Sequence, residues 1–88
     1  MKNKVFVITG ASNGIGKEIA LHFAKNNCDI AFIDKDKENG LKVVEEIKKL
    51  KRECLFINDN IDNEEAVNNF TNEIIKKFCN VDYLINNA

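Results

Sequence analysis

Apolar residues gather into four short, nearly continuous runs, at residues 5–8, 30–33, 54–57 and 81–85. None alternates with polar residues, which is the pattern of strands covered on both faces within a parallel sheet. Between the runs the period changes. The first intervening segment sets Ile15, Ile19, Ala20, Phe23 and Ala24 on one helical face. The second carries Leu41, Val44, Ile47 and Leu50, with Val43 beside them, and the third carries Val67, Phe70, Ile74 and Phe78. Strands alternating with helices of this length predict successive strand–helix–strand units, hence an α/β fold with a doubly wound parallel sheet.

Local signals agree with these elements. Asp36 is placed to cap the second helix, and Asp62 with Glu65 fits a capping box at the start of the third. Asn27 stands just past the first helix, where a left-handed residue is wanted. Gly40, inside the second helix, weakens it by about 1 kcal/mol relative to alanine. Glu38–Lys42, Glu45–Lys49 and Glu73–Lys77 are spaced i, i+4 in the favourable direction and read as solvated helix faces. There is no internal repeat, low-complexity block or domain boundary.

Composition narrows the function classes. The 88 residues allow one domain at most, and 44% hydrophobic with 31% charged residues is ordinary globular composition. A net charge of −1 gives no basic field to attract nucleic acid or an anionic membrane. No apolar run approaches the roughly 20 residues of a membrane span. The first run follows lysines but ends at Thr9–Gly10, short of the ~7–15-residue core of a signal peptide, so the cytoplasm is the expected compartment. Cys28, Cys54 and Cys79 are isolated and odd in number, which indicates neither a zinc site nor a disulfide framework. His22, between Leu21 and Phe23, has no partner at metal or triad spacing and reads as a helix-flank residue.

The stretch with chemical content is Val5–Gly16, V-F-V-I-T-G-A-S-N-G-I-G. A buried strand passes through three glycines into a helix N-terminus, where converging N–H groups and the helix dipole favour an anion. Gly10 can take the positive φ of a sharp exit from the strand. Gly14 leaves the backbone bare for a pyrophosphate, and Gly16 lets the helix lie close on the strand. A glycine-rich turn that binds nothing is the alternative reading of this stretch alone. Asp34 counts against it: it ends the second strand 18 residues beyond Gly16, close to the ~20 at which an acid meets the adenosine ribose of a dinucleotide. A carboxylate there accepts from both ribose hydroxyls and repels a 2′-phosphate, which favours NAD over NADP. Lys35, next in sequence, offers a phosphate partial compensation.

T-G-A-S-N-G-I-G, an acid ending the second strand and N-N-A after the fourth together resemble the short-chain dehydrogenase/reductase family over residues 4–88. The T-G-x-x-x-G-x-G spacing differs from that of other dinucleotide folds and of the family's extended members. The resemblance implies a partial Rossmann fold with strand order 3-2-1-4. It implies that Ser12, Asn13 and Ile15 join Gly10, Gly14 and Gly16 around the pyrophosphate and its ribose. Asn60 and Ile61 would then lie along the adenine, Asn87 and Ala88 would line the cofactor's floor, and Asn86 would pin the central strands. Full-length relatives are usually homo-oligomers. Two positions depart from the family pattern. Asn60 stands where many members carry aspartate, though its amide oxygen still accepts the adenine bond. Asn13 stands where NADP-using relatives often have arginine, which again leans toward NAD.

The family's catalytic serine and Tyr-x-x-x-Lys lie beyond the fourth strand, so the resemblance implies no catalytic residue within residues 1–88. Tyr83, the one tyrosine, is followed four residues on by Asn87 rather than lysine. The expectation is therefore the N-terminal part of one NAD(P)-binding domain, truncated after the fourth strand, whose full form transfers hydride between NAD(H) and an alcohol or carbonyl. The alternatives are a non-catalytic nucleotide-binding fragment or truncated gene product and, disfavoured by the glycine spacing, a piece of an S-adenosylmethionine-dependent methyltransferase. A bare fourth strand is expected to expose apolar sheet and to leave the chain marginally stable.

Overall fold

A computed structural model describes residues 4–78 and 81–87. Cys79 and Ala88 lie outside the described residues. The elements follow the expected alternation: β1 (Lys4–Thr9), α1 (Gly14–Lys25), β2 (Cys28–Asp34), α2 (Lys37–Lys49), β3 (Cys54–Asn58), α3 (Glu64–Phe78) and β4 (Tyr83–Asn86). The four strands form one sheet in the order β3-β2-β1-β4, every neighbouring pair parallel. The direction of winding reverses between β1 and β4, the switch point at which open α/β sheets hold ligands.

The unbroken apolar runs are explained by layers on both sides of the central strands. Phe6 and Ile8 of β1 and Ile30 and Phe32 of β2 bury into one core with Ala20 and Ala24 of α1 and Val43 and Ile47 of α2. The residues between them, Val5, Val7, Ala31 and Ile33, bury on the opposite face against Ala66, Phe70 and Ile74 of α3. Successive strand side chains alternate faces, so a strand covered on both sides has no polar positions to show.

The helices bury slightly different stripes from those the sequence pattern suggests. In α1 the stripe is Gly16, Ala20 and Ala24, at steps of four, while Ile15 is 74% exposed in the first turn. In α2 it is Gly40, Val43 and Ile47, leaving Leu41 and Leu50 exposed. Positions spaced strictly by threes drift around a helix of 3.6 residues per turn, which is why the set 41, 44, 47 and 50 does not share one face. Gly40 also has a packing reason. A Cβ there would fall on Cζ of the Phe56 ring and within 2.7 and 2.8 Å of its Cε atoms. That ring in turn stacks on Phe32 at 4.6 Å between centroids.

Helix ends match in part. Asp36 caps α2 by accepting from Asn39 N–H at 3.1 Å, and Asn27 is left-handed with φ 68°. The cap of α3 is Asn63 rather than Asp62: its Oδ1 accepts from the N–H groups of Glu65 (2.9 Å) and Ala66 (3.3 Å). Asp62 belongs to the preceding turn, its N–H donating to Asn60 Oδ1 at 2.9 Å. Lys77 reaches across to Glu53 at 3.1 Å instead of pairing with Glu73, which takes Lys76. Among the described residues no helix is long and apolar enough to cross a membrane.

β4 is the sheet's edge on the switch-point side. It is fastened to β1 at both ends. Asp82 Oδ2 accepts from Val5 N–H at 2.8 Å at the start, and Thr9 Oγ1 donates to Asn86 Oδ1 at 3.0 Å at the finish. Tyr83 packs near Phe6 and accepts from Lys4 Nζ at 3.1 Å, so it serves strand pairing. Leu84, opposite Val7 on the α3 face, is 69% exposed.

Candidate dinucleotide-binding site

The glycine turn leaves β1 with Gly10 at φ 73° and enters α1 with Gly14 at φ 57°, both in the left-handed region. A Cβ at Gly14 would meet nothing within 4 Å, so open space lies over the start of α1. Gly16 is the opposite case. A Cβ there would overlap the Gly10 carbonyl oxygen and come within 2.6 Å of Asn87 Nδ2. The first glycine shapes the turn, the second leaves room above the helix N-terminus, and the third sets how closely α1 approaches the strand end.

Asp34 is held at the C-terminal end of β2 by two backbone donors, Asp36 N–H to Oδ1 at 2.9 Å and Ser12 N–H to Oδ2 at 3.2 Å. The Ser12 bond ties the acid directly to the glycine turn. Each carboxylate oxygen keeps a lone pair for a further donor. Beside it opens a cleft of about 330 Å³, lined by Gly10, Ile33, Asp34, Lys35, Asp59, Asn60, Ile61 and Asp62. Sequence reading places Gly10, Asp34, Asn60 and Ile61 at a shared site, and they do share this cleft. It does not find Asp59 and Asp62, since residues of a β3–α3 turn carry no pattern of their own; the end of β3 lying beside that of β2 was the available signal. Asn60 is partly committed: its Oδ1 already accepts from Asp62 N–H.

The remaining expected residues surround the turn. Ser12 is buried, its hydroxyl donating to the Asp36 carbonyl at 3.4 Å. Asn13 donates through Nδ2 to Asp36 Oδ2 at 3.0 Å. The side-chain amides of Asn39 and Asn13, in that order of effect, hold the Asp36 carboxyl below its ordinary value. Exposed Ile15 offers an apolar surface above the turn. At the β4 end, Asn87 donates its N–H to Thr9 Oγ1 at 2.8 Å and its Nδ2 to the Gly10 carbonyl at 2.9 Å. Asn86, through Thr9, joins β4 to β1.

Among the described residues no group of histidine, cysteine and acidic side chains could hold a metal. Burial pushes the Cys28 thiol up and the Cys54 thiol up to about 12, so neither is a ready nucleophile. The strand–glycine–helix cradle, the acid ending β2 and the cleft beside it lie together at the C-terminal ends of β1 and β2.

Comparison with known proteins is consistent with this geometry. The chain is 38% identical over 87 residues to 3-oxoacyl-(acyl-carrier-protein) reductase FabG of Staphylococcus epidermidis, a match covering 98% of this chain and 36% of the relative. Its fold superposes on an NAD+-bound xylitol dehydrogenase with a TM-score of 0.93 at 30% identity, covering 99% of this chain and 34% of the other. It superposes on L-sorbose reductase from Gluconobacter frateurii, complexed with NADPH and L-sorbose, with a TM-score of 0.92 at 29% identity, covering 100% and 34%. The chain thus spans about a third of the length of these proteins. A family model for short chain dehydrogenases matches residues 4–88, the whole of the described fold, and the chain belongs to that family.

Proposed function

We propose that this chain is the cofactor-binding N-terminal portion of a short-chain dehydrogenase/reductase that takes NAD in preference to NADP. The full-length form would transfer hydride between NAD(H) and an alcohol or carbonyl. The match to about a third of its relatives' length and the exposed Leu84 on the edge of β4 support the reading of a portion of one domain. Among the described residues Cys28 and Cys54 are free thiols, which suits a reducing, cytoplasmic setting.

The cradle fits the dinucleotide. The open space over Gly14 receives the pyrophosphate at the N-terminus of α1, with Ser12, Asn13 and Ile15 around it. Asp34 accepts the adenosine ribose hydroxyls, and Asn60 and Ile61 lie along the adenine. Asn87, and Ala88 beyond the described residues, form the floor toward the nicotinamide. When bound, the nicotinamide supplies the carbon that gives or takes the hydride; these residues bind and orient it.

The observation that carries the NAD preference is the charge of the cleft. Asp34, Asp59 and Asp62 line it against Lys35 alone. A 2′-phosphate about 4 Å from one such carboxylate is opposed by roughly 1–4 kcal/mol, depending on solvent exposure. Titrating the folded chain with NADH and NADPH by cofactor fluorescence tests this, with at least tenfold tighter NADH expected. Equal or tighter NADPH overturns the preference. Protection by S-adenosylmethionine with no response to either dinucleotide overturns the cofactor reading itself.

A further inference from the structure

Asp36 makes more bonds than a helix cap needs. Capping α2 uses Oδ1, which accepts from Asn39 N–H at 3.1 Å. Oδ2 accepts from Asn39 Nδ2 at 2.8 Å and, across 23 residues of sequence, from Asn13 Nδ2 at 3.0 Å. Asn13 is itself the N-cap residue of α1, in an extended conformation (φ −142°, ψ 162°), and asparagine is among the best capping residues. Yet it makes no side-chain capping bond. Its amide is turned instead toward Asp36, on the neighbouring helix.

We propose that Asp36 is a positioning residue of the cofactor site: by holding the Asn13 amide, it keeps that side chain from capping α1 and so leaves the helix's first N–H groups for an anion. The inference rests on the proposed binding of a dinucleotide at this turn. Asparagine's own oxygen and the cofactor's pyrophosphate would otherwise compete for the same donors. A side chain that sits within reach and is restrained by a third group keeps the N-terminus available without a bare residue at that position. Asp36 also donates its N–H to Asp34 and accepts the Ser12 hydroxyl, so one residue orders three of the expected contacts.

The test is a double-mutant cycle on the full chain, with NADH as the probe. Asp36→Ser retains a good cap for α2 through its hydroxyl, but serine is too short to reach Asn13. NADH affinity is expected to fall at least fivefold in D36S with the melting temperature within a few degrees of the parent. In an Asn13→Ala background, which has no amide to swing back, the same D36S change should alter affinity less than twofold. Should D36S lower stability sharply, D36T, which keeps a capping hydroxyl for α2 and is likewise too short to reach Asn13, takes its place in the cycle. Equal losses from the Asp36 change in both backgrounds, or none in either, overturn the proposal. A parent chain that binds no dinucleotide overturns the proposed function instead.

Discussion

Replacing Gly16 with alanine puts the close approach of α1 to the glycine turn under direct load. The added Cβ would overlap the Gly10 carbonyl oxygen, lie 3.1 Å from its carbon, and come within 2.6 Å of Asn87 Nδ2. The first two neighbours are backbone, so relief needs α1 to back away from the turn by at least about 1.3 Å, to reach ordinary contact distance. Overpacking of this kind destabilises by about 1–3 kcal/mol. The shift also stretches the 2.9 Å bond from Asn87 Nδ2 to the Gly10 carbonyl, a further contribution of about 1 kcal/mol. For a domain of this size the combined effect lowers the melting temperature by roughly 10–30 °C. Gly14→Ala is the control: nothing lies within 4 Å of its Cβ, and the change carries only the ~1–2 kcal/mol of a left-handed backbone at φ 57°. Thermal unfolding followed by circular dichroism should rank parent above Gly14→Ala above Gly16→Ala. A Gly16→Ala melting temperature within 2 °C of the parent, or a larger loss from Gly14→Ala, would refute the close-approach role.

Other outcomes follow from particular residues. Gly40→Ala drives a methyl into the Phe56 ring and should destabilise by about 1–3 kcal/mol, read from urea unfolding. Because Phe56 is a movable side chain, the double change Gly40→Ala with Phe56→Leu should recover part of that loss; no recovery would count against the contact. Cys54, pushed up to about 12 by burial, keeps its proton at pH 8, so native alkylation mapped by mass spectrometry should run about a thousandfold slower than after denaturation. The sign for stability runs with it: a folded value above the ordinary 9.0 means that this contribution is intact below about pH 9 and is lost as pH rises toward 12. Leu84, 69% exposed on an unpaired edge, should drive self-association, and Leu84→Lys should shift the chain toward monomer in sedimentation velocity; an unchanged distribution would exonerate that edge.

Much of this architecture is legible because local patterns and the global fold impose the same demands. Four apolar runs without alternation can be satisfied by a sheet covered on both sides, and β1 and β2 are buried on both faces. Asn27 and Asp36 were readable because a left-handed exit and a side-chain acceptor are local requirements. What escaped depends on which residue of a stripe meets which neighbour. Ile15 and Leu41 carry the right chemistry for a core and lie outside it, since small residues at 16 and 40 let the helices come close to what they pack on. Asp62 precedes Glu65 at capping-box distance and so resembles the cap of α3; Asn63, one residue later, has the geometry.

At the site, Gly10, Asp34, Asn60 and Ile61 could be grouped from sequence because the family spacing connects them, and they line one cleft. Asp59 and Asp62 enter that cleft through the pairing of β2 with β3, which places Asn58 opposite Asp34 and brings the following turn alongside. The second role of Asp36 has no sequence signature at all. It arises where two turns 23 residues apart come within 3.0 Å.

An amide-resolved NMR titration of the uniformly labelled chain with NAD decides whether the glycine turn holds the dinucleotide. Binding at the glycine turn predicts chemical-shift changes that begin at Gly10 through Gly16, extend to Asp34 and reach Asn60 and Ile61, while the outer turns of α3 near Ile75 stay fixed. Saturating NAD with no change at Gly14 and Asp34, or with changes centred elsewhere on the fold, would mean that the turn does not hold the cofactor.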